Sequence, residues 1–505
     1  MGGWKGPRQQ PTSRTRRGYR PGVDAHPDVE RQHYNVTLGV LVTAGIAFAL
    51  QQTLVIPALP ALREDLDTTT GWATWLLTAF LLSASVLTPL LGKLGDQYGK
   101  ERLLVISLSI FLLGSIGGIF AWNIGSLIAC RVIQGAGGAV FPLSFAIIND
   151  EFPRERRGTA IGIVSSVFAI GGSIGLVLSG VIVDYASWRW LFIIGAIGVA
   201  AAIVLVHLFV PESPVKTPSR LDIPGAVLLS GALISLLVAL TEGQNWGWTS
   251  APTLLLFAAA AVLGATWALV ELRVPEPMVD MRMFTHRPVL FTNVIALVSG
   301  FAMLGSFVLI PNFVQAPGDL PPELARLVDY GFGVSATTTG LYLLPGALMG
   351  LVGGPLAGRL GARFGWKLPL FVGMATAGLG IAAFALWHDH PWQIVLGNVA
   401  LGFGIVLAFA AMATIIVSSV RPTETGVATG MNTVMRTIGG VIGGQVGAAI
   451  LTTKTIPGTP VPAESAFVTA FWLSAIAALG AAVLAVFVTP RRARQPRQVA
   501  IEVTD

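Results

Sequence analysis

Along this chain, long apolar runs alternate with short polar breaks. A run of about 20 apolar residues is what an α-helix needs to cross a hydrocarbon core about 30 Å thick. Fourteen such runs occur, at 36–62, 71–92, 103–122, 127–148, 159–183, 190–210, 223–242, 251–271, 288–314, 335–357, 368–387, 392–418, 426–451 and 466–489. Lipid offers the backbone no hydrogen-bond partners, so each run must satisfy its own peptide groups and is expected to be helical. The pattern predicts an all-α polytopic membrane protein.

The polar breaks differ by side. With both ends placed on one side, the segments there hold 26 of the 32 Lys and Arg, the opposite loops hold 4, and Arg131 and Arg436 fall within helices. Basic residues close to a membrane stay in the cytoplasm. An even number of spans, two cytoplasmic termini and a plasma-membrane location are therefore expected. Trp72, Trp75, Trp122, Trp188, Trp190, Trp246, Trp248, Trp387 and Trp392 fall at the expected outer edge, the headgroup level an indole prefers.

Composition removes other classes. With 53% apolar and 11% charged residues, the chain is neither a soluble domain, which carries about 25% charge, nor a disordered polymer. The net charge of +6 is spread over loops and tails rather than gathered on one face, which argues against nucleic acid as a partner. The single Cys130 excludes an intrachain disulfide and a thiolate metal cluster. There is no phosphate-binding glycine loop and no metal-ligand spacing, so no cofactor, no metal and no catalytic residue is expected, and the chain does not read as an enzyme.

Compared with itself, the chain repeats. Pro89, Gly92, Lys93, Leu94, Gly95, Tyr98 and Gly99 match Pro355, Gly358, Arg359, Leu360, Gly361, Phe364 and Gly365 at an offset of 266. Gly158, Ala160, Gly162, Ile170, Gly171, Gly172, Ile174 and Gly175 match Gly426, Ala428, Gly430, Ile438, Gly439, Gly440, Ile442 and Gly443 at 268, and Arg131, Gly135 and Gly137 fall opposite Asn398, Gly402 and Gly404 at 267. The offset spans eight runs, so two six-helix units are separated by two extra helices. The expected organisation is a basic disordered arm at 1–35, bundles at 36–210 and 288–489, the extra helices with their loops at 211–287, and a tail at 490–505. Parallel six-helix repeats are how many secondary transporters are built, with the substrate near the midplane between the halves.

Gly92-Lys93-Leu94-Gly95-Asp96-Gln97-Tyr98-Gly99-Lys100-Glu101-Arg102 resembles the signature between helices two and three of the major facilitator superfamily. Leu127 to Arg131 with Gln134-Gly135-Ala136-Gly137 resembles its fourth-helix motif. The fourteen runs, Leu221-Asp222-Ile223-Pro224-Gly225, Trp188-Arg189-Trp190 and Gly426 to Gly444 are similar to its fourteen-spanner branch of drug:proton antiporters. The resemblance covers about 36–490. It implies multidrug efflux by alternating access, a small hydrophobic or amphipathic substrate, protons as the coupling ion with the proton gradient as energy source, membrane lipid as surroundings and a working monomer. It assigns Gly92, Asp96, Gly99, Lys100 and Arg102 to gating and gives Arg131 a part in substrate or proton handling; Gln51, Gln52, Gln134, Asn398, Asn432 and Arg436 join Arg131 as candidate cavity or coupling residues.

The residues carry their own chemistry. Asp96, in a glycine-rich turn among Lys93, Lys100 and Arg102, can bridge the halves or cap a neighbouring helix N-terminus. Placing Arg131 at mid-membrane costs about 2.5–3.5 kcal/mol on insertion scales, so it is expected to face the cavity or to snorkel. Arg436 lies deeper. Rows Gly171-Gly175-Ser179 and Gly439-Gly443-Gly447 recur every four residues and suit close helix packing; Leu176 stands where the antiporter pattern has proline.

In Leu50-Gln51-Gln52-Thr53-Leu54-Val55-Ile56-Pro57-Ala58-Leu59-Pro60 the family's usual Asp is Gln51, which carries no titratable proton. Its amide suits a cavity or ties helices together. No Asp or Glu lies well inside a run. Either Glu64, Asp184, Glu424 or His207 carries the proton, or the carrier is uncoupled and Arg131 and Arg436 attract neutral or anionic amphiphiles, lipids included.

Overall fold

The computed structural model describes residues 1–3, 34–213, 222–318, 320, 322–459 and 461–488. Most of the predicted arm at 1–35, the tail at 490–505 and Leu221 lie outside the described residues.

Fourteen long helices organise the chain: α1 (Tyr34–Leu54), α2 (Thr70–Tyr98), α3 (Lys100–Ile119), α4 (Ile124–Glu151), α5 (Arg154–Tyr185), α6 (Arg189–Phe209), α7 (Ile223–Trp246), α8 (Ala251–Glu271), α9 (Arg287–Gln315), α10 (Thr337–Phe364), α11 (Lys367–Leu386), α12 (Pro391–Ser419), α13 (Thr425–Thr453) and α14 (Glu464–Ala485). Among the described residues thirteen are long and apolar enough to cross a membrane, and α9 contributes a shorter apolar stretch, Arg287–Met303. No strand occurs among the described residues.

Local chemistry sets the ends. Thr69 accepts from Trp72 N–H to start α2, Asn123 and Ser126 cap α4 reciprocally, and Asp222 accepts from Gly225 N–H ahead of a first-turn proline in α7. Between α2 and α3 the chain reverses at Gly99, whose φ of 122° suits glycine.

Three expected single helices are interrupted. α1 stops at Leu54 ahead of Pro57, and a separate short helix, Leu59–Asp65, follows, because proline disfavours helix in the residue before it. In α4, Gly135–Ala139 winds as a 3-10 turn. Glycine lowers helix propensity there and lets α4 approach α2: a β-carbon at Gly135 would stand 2.5 Å from Ser83 Cβ, and one at Gly138 3.0 Å from Ala84 Cβ. α10 breaks at Met349, between Ala336–Leu348 and Gly350–Phe364.

Helices α1–α6 pack round Phe48, Phe80, Phe111 and Phe141, and α9–α14 round Phe313, Phe384, Phe467 and Phe471. The two bundles meet along α2–α13 and α5–α10. These seams are equivalent under the repeat. A β-carbon at Gly92 would lie 2.6 Å from Gly426 O, and one at Gly358, the repeat mate of Gly92, 2.6 Å from Thr159 Cα, beside Gly158. The duplicated glycines thus place backbone against backbone twice. Of the extra helices, α7 rests on α2 and α13, while α8 packs on α7 and has 6% of its apolar window buried.

Candidate functional site

At the face where α2 turns into α3, one carboxylate crosses between the bundles. Asp96, 1% exposed at the end of α2, accepts from Gly426 N–H and Val427 N–H, each at 3.2 Å, and so caps α13 of the other half. Four N–H groups at a helix start have no partner in their own helix, and their dipole favours an anion. Lys100, fully buried, lies 3.8 Å from Asp96, pairs with Asp150 at 2.5 Å and donates to Pro422 O at 3.5 Å. Asp150 in turn accepts from Ser213 Oγ, and Arg102 N–H donates to Glu212 at 3.4 Å. A β-carbon at Gly99 would meet the Glu212 carboxylate. Of these bonds, those from Asp96 to Gly426 and Val427 and from Lys100 to Pro422 cross between the halves, and a rigid-body rotation would break these together. Asp150, Glu212 and Ser213 went unrecognised in the sequence; Asp150 follows an apolar run by one residue and reads there as a helix end.

Arg131 takes a different position from the one expected. It lies inside the first bundle, fully buried over the Phe80 ring at 4.2 Å, with Nε donating to Leu76 O at 3.0 Å and Nη1 to Gln134 Oε1 at 2.8 Å. Gln134 passes the chain on to Ser115 Oγ at 2.9 Å. It neither faces the central cavity nor snorkels. Its repeat partner explains the placement: Asn398 donates to Leu343 O at 2.7 Å, and Leu343 stands 267 residues after Leu76, as Asn398 does after Arg131. Both halves therefore make the same side-chain bond from their fourth helix to their second. A neutral amide suffices for it in the second half.

Arg436 is the cation that reaches the space between the halves. With Asn432, Thr429 and Thr433 of α13, it lines a cavity completed by Phe141 and Phe145 of α4, Ser165 of α5, and Phe409 and Ala413 of α12. The guanidinium lies 4.4 Å over the Phe409 ring. Asn432 donates to Asn293 Oδ1 at 3.0 Å. The cavity holds ≈ 20 Å³ of free space, room for about one water, so this conformation is closed around its centre. Its walls combine aromatic rings, short polar groups and one cation, a lining that suits an amphiphile.

Gln51 and Gln52 are absent from that lining. Gln51 is 1% exposed between α1 and α6, where the missing side chain of Gly195 makes room for it, and neither amide atom has a hydrogen-bond partner. Gln52 is half-buried. The glycine rows serve packing within each half. Gly171 and Gly175 bring α5 onto α1, with Thr53 Oγ1 donating to Gly172 O at 2.8 Å, and Gly439 and Gly443 bring α13 onto Leu297 and Phe301 of α9. Ser179 is fully buried beside them. Among the carboxylates and the imidazole considered as proton carriers, Asp184 accepts from Thr337 Oγ1 at 3.4 Å, Glu424 lies 3.7 Å from Arg421, and His207 stands exposed 3.5 Å from Glu101.

Two helical bundles related by a repeat, a polar clasp across one end of their seam and a lined cavity between them are the architecture of a membrane transporter. The chain belongs to the Major Facilitator Superfamily, whose model matches residues 41–444 and again 295–502. It is 28% identical over 402 residues to the tetracenomycin C resistance and export protein of Streptomyces glaucescens, covering 78% of this chain and 70% of that one. It is 28% identical over 399 residues to multidrug resistance protein 3 of Bacillus subtilis (78% and 74% covered), and 29% identical over 382 to multidrug resistance protein Stp of Mycobacterium tuberculosis (75% and 68%). The crystal structure of the human organic anion transporter MFSD10 (TETRAN) shares the fold, with a TM-score of 0.63 at 15% identity over 89% of this chain and 99% of that one.

Proposed function

We propose that the protein is a plasma-membrane exporter of hydrophobic or amphipathic small molecules that works as a monomer by alternating access, driven by proton antiport. In this reading it has the fourteen-spanner topology with cytoplasmic termini, and the bundles at 36–210 and 288–489 rock about the seams, carrying the segment 211–287 between them. The face bearing Asp96, Lys100 and the basic turns is then cytoplasmic. The observation that carries the reading is the Asp96 cap on α13, which joins the two halves at one end of their seam. Relatives named for multidrug resistance and drug export support efflux as its direction.

A second reading concerns substrate and coupling. Among the described residues, Arg436 is the one basic side chain lining the central cavity, and no carboxylate joins it there. A cavity of that charge favours an amphiphile with an anionic or neutral head, lipids included, moved with or without a proton. Transport in proteoliposomes tests both readings, with anionic, neutral and cationic amphiphiles compared in the presence and absence of a pH gradient. Export that needs the gradient supports antiport, and movement that ignores it supports the uncoupled carrier.

A further inference from the structure

The extra helices lack a counterpart in the repeat, yet their ends reach the clasp. Glu271, the last residue of α8, is 3% exposed and accepts from Trp267 Nε1 at 2.9 Å and from Val279 N–H at 3.2 Å. Asp222, at the start of α7, is 8% exposed; its Oδ1 accepts from Gly225 N–H at 2.8 Å, while its buried Oδ2 has no hydrogen-bond partner. A β-carbon at Gly225 would collide with Asp222 Oδ2 and lie 2.8 Å from Glu271 Oε1. The glycine thus leaves the gap into which both carboxylates point. Lys93 of α2 donates to Pro277 O at 3.1 Å, in the loop that follows α8, and its charge acts on both Glu271 and Asp96.

We infer that Glu271 binds a proton against the facing Asp222 carboxylate, and that this proton controls how firmly the α7–α8 pair holds Lys93 beside the clasp. Two buried carboxylates that face one gap at Gly225 are not both charged without cost, because each disfavours the other's charge and neither is well hydrated. One proton on Glu271 Oε1 makes that oxygen a donor toward the unpartnered Asp222 Oδ2 and leaves the pair with one negative charge, which Lys93 balances. The proton comes from water at the basic face, and its loss leaves two negative charges to one ammonium. Among the described residues, the other charged or titratable groups on the elements around the pair are Asp96 and Tyr98 of α2, Glu242 of α7, Arg273, Glu276 and Asp280 of the loop, Arg282, His286 and Arg287 beyond it, Arg421 and Glu424 before α13, and Arg436 within it. Arg273, Glu276, Arg282, His286, Arg287 and Arg421 are exposed to solvent. The proton site is independent of the exporter reading, on which its effect on transport rests.

Infrared difference spectroscopy of the full chain in lipid nanodiscs, titrated with pH, tests the site without any transport. A carboxylic-acid C=O band is expected to appear on acidification, to be lost in Glu271→Gln and to move to lower pH in Asp222→Asn, whose amide keeps an oxygen for Gly225 N–H. Lys93→Gln is expected to raise the midpoint of that band, since a neighbouring cation favours the ionised form. If Glu271→Gln does not fold, Asp222→Asn with Lys93→Gln carries the test. A band of unchanged midpoint in both amide variants overturns the proton site, and an unmoved midpoint in Lys93→Gln overturns the link to the clasp. Loss of the band with transport intact would overturn the control of transport and leave the proton site standing.

Discussion

Replacing Asp96 with Asn removes one charge from the clasp and little volume. The carboxylate accepts two backbone N–H bonds from α13, and hydrogen bonds to a charged group contribute about 1.5–3 kcal/mol each. A negative charge at a helix N-terminus adds about 0.3–1 kcal/mol. Asn keeps one accepted bond, and it is spared the burial cost of an ionised carboxylate. The closed arrangement should therefore lose about 2 kcal/mol, a shift of about 30-fold in the ratio of closed to open molecules. Lys100 keeps its Asp150 partner at 2.5 Å, so the first bundle stays intact and the loss falls on the seam. In a Cys130→Ser background, spin labels at Arg154 and Arg363, both exposed on the basic face in opposite halves, report the separation by double electron–electron resonance. Asp96→Asn should populate a longer distance that is minor in the parent. An unchanged distance distribution would refute the clasp as a determinant of the closed state.

Gly92→Ala and Gly358→Ala should shift the same distances the same way, because each new methyl would stand 2.6 Å from atoms of the opposite half. Arg131→Asn should melt close to the parent in a fluorescence thermal shift, because Asn398 makes the equivalent bond in the second half, whereas Arg131→Ala should melt lower by the loss of about 1 kcal/mol per buried hydrogen bond. Arg436→Gln should lower transport of anionic amphiphiles about tenfold or more, with neutral ones little changed, in the proteoliposome assay; equal effects on both would remove the charge argument for substrate.

What the sequence made legible follows the physics of each signal. Hydropathy reports which residues lie in lipid, and it located the helices and the repeat. It does not report which way a side chain points round its axis when the helix is apolar on all sides. Gln51 and Arg131 therefore both read as cavity residues, although one sits against Gly195 and the other against Leu76. Asp96 was legible because its glycines leave room for few roles. The breaks at Gly135–Ala139 and Met349 were hidden inside unbroken apolar runs. Asp222 and Glu271 lie 49 positions apart at opposite ends of a hairpin, and only its closure brings them together.

The central claim, export by proton-coupled alternating access, is tested most directly by reconstituting the chain in liposomes under an imposed pH gradient and following accumulation of an amphiphile with and without an uncoupler. The account predicts protein-dependent uptake that collapses when the uncoupler removes the gradient and that is sharply reduced in Asp96→Asn. Uptake indifferent to the gradient would contradict antiport, and no protein-dependent movement of any amphiphile would contradict the exporter reading itself.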